Sequence, residues 1–239
     1  MGLHEKLAEK FFGHGAEKWG DYHGGYLNFG LWDKGITDFV EASHNLLTRV
    51  GKKINLNKNS KLLDVGCGTG AQDNFFIKKF KCKSIEAVDL THKNIKFKVG
   101  DACKLNYKKN SFTHIIGIEA PVNFNTREKF LKDAFRMLKK GGKIGISDFY
   151  LKNKPKTLFG KFLVKIAVKI WHIPKANRYG LNIYKEKLQE AGFTDIELEA
   201  VEDNVIPGYY KEQQKKEVKE YLRKMRGIGY RILGPILNY

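Results

Sequence analysis

The stretch Leu62-Leu63-Asp64-Val65-Gly66-Cys67-Gly68-Thr69-Gly70 runs an apolar segment into three glycines at alternate positions. Glycine reaches backbone conformations closed to other residues and lets a ligand lie directly on the main chain. A helix opening behind such a turn adds N–H groups that have no partner of their own. Gly66, Gly68 and Ala71 also satisfy G-x-G-x-x-G/A, which brings a nicotinamide cofactor into contention. Asp64 weighs against it. A carboxylate two residues before the first glycine is unfavourable beside phosphate in a semi-buried site and favourable beside a cation. The loop therefore suits a ligand carrying an ammonium for Asp64 and a carboxylate for the helix N-terminus. Further acids end apolar runs downstream, at Asp89, Asp101, Glu119 and Asp148.

Those acids need a scaffold, and the chain spells one out. Residues 1–59 read as an N-terminal helical lid, with helical stretches over about 3–19 and 37–51. They flank an aromatic, glycine-rich segment from Tyr22 to Trp32. From residue 60 short apolar runs take over: 61–66, 84–89, 95–99, 112–118 and 143–149. Helical stretches lie between several of them, such as 126–139, which the pair Gly141-Gly142 stops. Strands alternating with helices predict a doubly wound, mostly parallel α/β sheet over 60–205. A helical insert is expected within 152–181, then a helix over 182–191, a strand over 194–201 and a charged helix over about 209–226 in a C-terminal helical segment, 206–239. One join is awkward. Only Thr91-His92-Lys93 separate the second run from the third, whereas parallel neighbours need a crossover of about a dozen residues. Either the two strands are antiparallel or a crossover helix is absent.

Taken in order, these segments resemble the class I methyltransferases that use S-adenosylmethionine (SAM), over about residues 20–205. Leu62–Gly70 is similar to their first motif, and SAM carries the ammonium and carboxylate that the loop suits. The resemblance implies a seven-stranded, Rossmann-like, mostly parallel sheet. It implies that Asp64, Gly66, Gly68 and Gly70 hold the methionine part. Asp89, followed by Leu90, would take the ribose hydroxyls, and Asp101 with Ala102 would meet the adenine. Glu119 would stand beside the methyl-transfer centre. Leu138–Gly142 resembles the family's turn before the fifth strand, with Lys140 where proline is common. The sulfonium carries the chemical drive, so no metal is implied.

The segment Ile118–Phe130, with Tyr26–Asp33 and Ser147-Asp148-Phe149, is similar to the branch acting on natural products, tocopherols and sterol-like lipids. Many oxygen methyltransferases of that branch carry a histidine base where Asn123 stands, and an amide cannot take a proton. Asp148 keeps its place as a candidate base, as do His14 and His23 on the lid. Loss of the histidine also leaves room for an acceptor that needs no base, a neutral amine or a carbon nucleophile. In the insert, Lys161, Lys165 and Lys169 share a helical face amid apolar residues over 156–171. That pattern suits a peripheral contact with an anionic membrane, the roof of a greasy pocket, or a plain cap helix.

Composition bounds the rest. The net charge is +18, but only seven of the 44 basic residues are arginine, the side chain that forks onto phosphates. A lysine-rich surface without specific nucleic-acid binding is the expectation. Three cysteines without C-x-x-C spacing point to neither a disulfide scaffold nor structural zinc, and a reducing cytoplasm is expected. No apolar run approaches the ~20 residues of a membrane span, and the first residues lack a secretory apolar core. The expected function is methyl transfer from SAM to a small, hydrophobic or lipid-like acceptor. An RNA methyltransferase and a non-catalytic SAM-binding module are the competing readings.

Overall fold

The computed structural model describes residues 19–90, 97–152 and 157–220. His14, the helix expected before residue 19, the Thr91–Lys93 join and the tail beyond 220 lie outside the described residues. Helices and strands are numbered in chain order: α1 Phe39–Lys53, β1 Lys61–Val65, α2 Ala71–Phe80, β2 Ser84–Asp89, β3 Lys98–Val99, β4 Phe112–Ile118, α3 Arg127–Met137, β5 Leu138–Ser147, α4 Leu158–Ile170, α5 Leu181–Glu190 and α6 Glu202–Gln214. The described residues divide into two compact units, one within 49–199 and one joining the parts up to Thr48 and from Ala200.

The larger unit holds a five-stranded sheet in the order β3-β2-β1-β4-β5, with every pairing parallel. β4 is buried at six of its seven positions, as befits a strand covered on both faces. One face packs Leu63, Val65, Phe112 and Ile115 against Phe130, Leu131, Ala134 and Met137 of α3 and Tyr184 and Leu188 of α5. Strand order reverses between β1 and β4, so a crevice opens outside the carboxyl ends of those strands.

Several expectations change. β2 and β3 are parallel, through Val88↔Lys98 and Asp89↔Val99, so the short join is not a hairpin. Among the described residues the sheet has five strands, and none covers 194–201. The alternation there serves ion pairs instead: Glu199 meets Arg49 and Glu197 meets Lys53, both on α1. Helix α3 stops at Met137, short of the glycines. Gly141 and Gly142 lie inside β5, in an irregularity where β4 moves from Phe112 to His114 while β5 moves from Leu138 to Lys143. Helix α6 begins at Glu202 rather than 209 and carries Pro207 within it.

The smaller unit is aromatic. Phe29 stacks on Tyr209 at 3.9 Å, and the Trp32 ring lies so close to Gly208 that an added Cβ would meet it at 2.0 Å. Trp32 N–H donates to the Asn204 carbonyl at 2.7 Å.

Candidate functional site

Five of the expected residues gather at the ends of neighbouring strands. Asp64 lies in the last two residues of β1 and Gly66 follows it, Asp89 closes β2, Asp101 follows β3 and Glu119 follows β4. Gly66, Gly68 and Gly70 have φ of 82°, 59° and 80°, the left-handed region that side chains resist. A Cβ on Gly66 would fall 2.3 Å from that of Ala120, and one on Gly70 would fall 2.0 Å from the Phe97 ring. Gly70, the residue before α2, has no side chain to cap the helix, and Ala71 N–H donates instead to Thr69 Oγ1 at 3.3 Å; the start of such a helix is favourable for an anion. Gly68 N–H donates to Asp89 Oδ2 at 2.9 Å, which ties the acid of β2 to the loop of β1.

Asp64 is fully buried. Its Oδ2 accepts from Gln72 Nε2 of α2, while its Oδ1 meets no donor. Burial raises its carboxyl above the ordinary range, against the hydrogen bonds of Gln72 and Asp73, with nearby Asp89 adding to the rise. A buried carboxylate with one oxygen short of a donor, beside the start of a helix, fits a ligand with an ammonium and a carboxylate, which SAM has. Cys67 is buried in the same loop, where burial and the acids hold its thiol protonated. Asp101 Oδ1 accepts from Cys103 N–H at 2.8 Å, and Ala102 packs into the core. Glu119 has φ 53°, a strained conformation costing about 1–3 kcal/mol, of the kind that clusters at functional sites. Leu90 follows Asp89, half-buried.

Two proposed catalytic side chains turn out to be engaged. Asn123 Nδ2 donates to the Trp171 carbonyl at 2.5 Å, fastening the insert to the end of β4. Asp148 accepts from four donors: Val122 and Phe149 N–H at Oδ1, and Arg127 Nε and the Tyr184 hydroxyl at Oδ2, all within 2.9 Å. Burial raises its carboxyl even against the pull of Arg127. With its lone pairs filled and a guanidinium at 2.7 Å, Asp148 is a structural anchor and unsuited to taking a proton from an acceptor. His23, expected on an exposed lid, is 3% exposed. Its ring packs at a tilt against those of Trp19 and Phe39, each at 4.0 Å, and faces Glu212 at 3.4 Å, with its basicity lowered by burial.

Sequence reasoning passed over Arg127, Asn177, Gln72 and Asp73. Arg127 is fully buried between the Tyr179 and Tyr184 rings at about 5 Å and also donates to the Asn177 and Phe149 carbonyls. Asn177 Nδ2 donates to the Phe124 and Val122 carbonyls, so one amide holds the β4–α3 connection. Only a basic residue directly after an N-capping threonine signals Arg127, and that is ordinary on a helix surface. Among the described residues no group of three His, Cys, Asp or Glu side chains could hold a metal.

Fold and site together define a SAM-dependent methyltransferase domain. Residues 63–146 match the family described as "Methyltransferase domain". The erythromycin 3''-O-methyltransferase of Saccharopolyspora erythraea is 30% identical over 77% of this chain and 66% of its own length. The sterol 24-C-methyltransferase of Candida albicans is 26% identical over 78% of this chain and 54% of its own. This chain thus spans about two thirds and about half the length of these relatives. Among solved structures, the geranyl diphosphate C-methyltransferase of Streptomyces coelicolor, in complex with Mg2+, geranyl diphosphate and S-adenosylhomocysteine, aligns with a TM-score of 0.73. It is 12% identical, over 97% of this chain and 94% of that one. The chain belongs to the class I SAM-dependent methyltransferases.

Proposed function

We propose that the chain transfers the methyl group of SAM to a small hydrophobic or lipid-like acceptor whose nucleophile needs no prior loss of a proton. The observation that carries the reading is the engagement of Asn123 with Trp171 and of Asp148 with Arg127 and Tyr184. Neither side chain is left to deprotonate an aliphatic hydroxyl, so a neutral amine or an alkene carbon suits the site better. Bound SAM supplies an activated methyl group on a sulfonium. The residues supply position: Asp64 faces the ammonium, the start of α2 faces the carboxylate, and Asp89 and Asp101 take the ribose and adenine.

The lipid-like class draws on α4. Leu158, Phe159 and Phe162 are 84%, 70% and 57% exposed, and Lys161, Lys165 and Lys169 are exposed with them. Leu158, Phe162, Lys165 and Lys169 recur at i, i+4, i+7 and i+11, one stripe of a helix. The lysines are therefore interleaved with the exposed aromatics instead of standing opposite them. No acid lies between 156 and 171. Apolar tips rimmed by lysine stems suit an anionic bilayer, where each lysine contributes about 1 kcal/mol. Among the described residues no helix is long and apolar enough to cross a membrane, so this contact is peripheral.

Methyl-labelled SAM incubated with the protein and a lipid-and-metabolite extract tests the reading. Label is expected in an organic-soluble amine or carbon-methylated product. An ether product would overturn the nucleophile assignment, and label in RNA would overturn the acceptor class. Phosphatidylserine vesicles should sediment the wild type and not the Lys161→Glu/Lys165→Glu/Lys169→Glu variant. Equal sedimentation of both would remove the membrane contact.

A further inference from the structure

The first turn of α2 carries a carboxylate that the cofactor reading does not use. Asp73 is 4% exposed, and no N–H or O–H from another residue reaches either of its oxygens. Its carboxyl is in hydrogen-bonding contact with that of Asp64. The groups around the pair are Gln72 of the same turn, Asp89 of β2 and the Cys67 thiol. None of them is a cation. Two carboxylates in one dry site cannot both ionise, so one keeps its proton. The arrangement decides which. Asp64 already has a donor in Gln72 to stabilise its anion; Asp73 has none.

We infer that Asp73 is a positioning residue for the cofactor: as a neutral acid it donates its proton to Asp64 Oδ1 and keeps Asp64 the one anion beneath the glycine loop. The inference rests on the reading that Asp64 faces the ammonium of SAM. It explains why a buried Oδ1 lacks any other donor, and why an acid is tolerated on the inward side of the first turn. Burial and the charge of Asp64 both raise the Asp73 carboxyl, and no donor stands beside it to offset them. As pH falls, Asp64 is the group that gains a proton. The pair then becomes neutral, and affinity for a cationic amine falls.

The test is calorimetric titration of S-adenosylhomocysteine, which keeps the ammonium, between about pH 5.5 and 8.5. Wild type, Asp73→Asn and Asp73→Leu are compared. Asparagine donates one N–H to Asp64 and should keep the wild-type profile. Leucine donates nothing, so affinity at neutral pH should drop about tenfold and the acid limb should move up by about one pH unit. Isotope-edited infrared spectra of the ligand-free protein give a second measure. A protonated aspartic-acid band at neutral pH should be present in the wild type and absent from Asp73→Asn. An unshifted profile in a folded Asp73→Leu, or a band that survives in Asp73→Asn, would overturn the inference while leaving the cofactor reading intact. Absence of binding by the wild type, with the band still assigned to Asp73, would overturn the cofactor reading instead.

Discussion

Asp148 and Asp64 are both buried carboxylates at the carboxyl edge of the same sheet, and their surroundings are opposite. Asp148 has four donors, one of them a buried guanidinium. Asp64 has Gln72 on one oxygen and no donor from another residue on the second beyond the acid of Asp73. A carboxylate saturated from within the fold holds the fold together. One left short of donors costs stability and is kept for what it binds. The contrast separates an anchor from a binding group where residue type and burial alone would not.

The largest expected effect tests the anchor. Arg127→Met leaves Asp148 buried without its cation and removes the donors to Asn177 and Phe149, and should destabilise by about 3–5 kcal/mol in urea unfolding. Arg127→Lys should rescue little, because an ammonium cannot reproduce three separated donor directions. A loss under about 1 kcal/mol would mean that the knot is ornamental.

Asp64→Asn should behave in the opposite way. Loss of the anion should weaken S-adenosylhomocysteine by about 1.5–3 kcal/mol, the scale of a hydrogen bond to a charged group, while stability holds or rises. The pH dependence carries a sign of its own. The Asp64 and Asp73 carboxyls lie above their ordinary values, so the folded state holds protons that the unfolded state releases once pH exceeds the ordinary carboxylate range. Their contribution to stability is complete below that range and is lost progressively as pH rises above it, past neutrality for the proton that Asp73 keeps. Asp73→Asn should flatten this decline in ligand-free protein. A parallel decline in the variant would assign the slope to other groups.

The smallest effect concerns Glu119. Replacing it with glycine relieves a positive φ and should stabilise by about 1 kcal/mol while impairing turnover. A destabilised variant would show that its contacts outweigh the strain.

How legible these regions are from sequence follows from how local they are. The glycine loop is nine consecutive residues, and its chemistry is readable because the residues that make it lie side by side in the sequence. Asp89 and Asp101 follow from strand ends at regular intervals. The anchor is not local: Arg127 and Asp148 lie 21 residues apart, and Asn123 and Trp171 lie 48 apart. Nothing in either segment announces the other. The run 194–201 alternates like a strand, but the same alternation places Glu197 and Glu199 toward α1, and only the tertiary structure distinguishes ion pairs from a ladder. In α4 the lysines keep the helical spacing that the sequence shows, and Leu158 and Phe162 share their stripe, a placement that is seen only once the exposure of each side chain is known. Asp73 reads as an ordinary helix N-terminal acid until its burial is known.

The most direct test is a calorimetric comparison of S-adenosylhomocysteine and NAD on the wild type and on Asp89→Ala. S-adenosylhomocysteine should bind the wild type, NAD should not, and the substitution should cost about 1.5–3 kcal/mol of affinity. Binding of NAD, or unchanged affinity for S-adenosylhomocysteine in Asp89→Ala, would contradict the cofactor site described at the ends of β1 and β2.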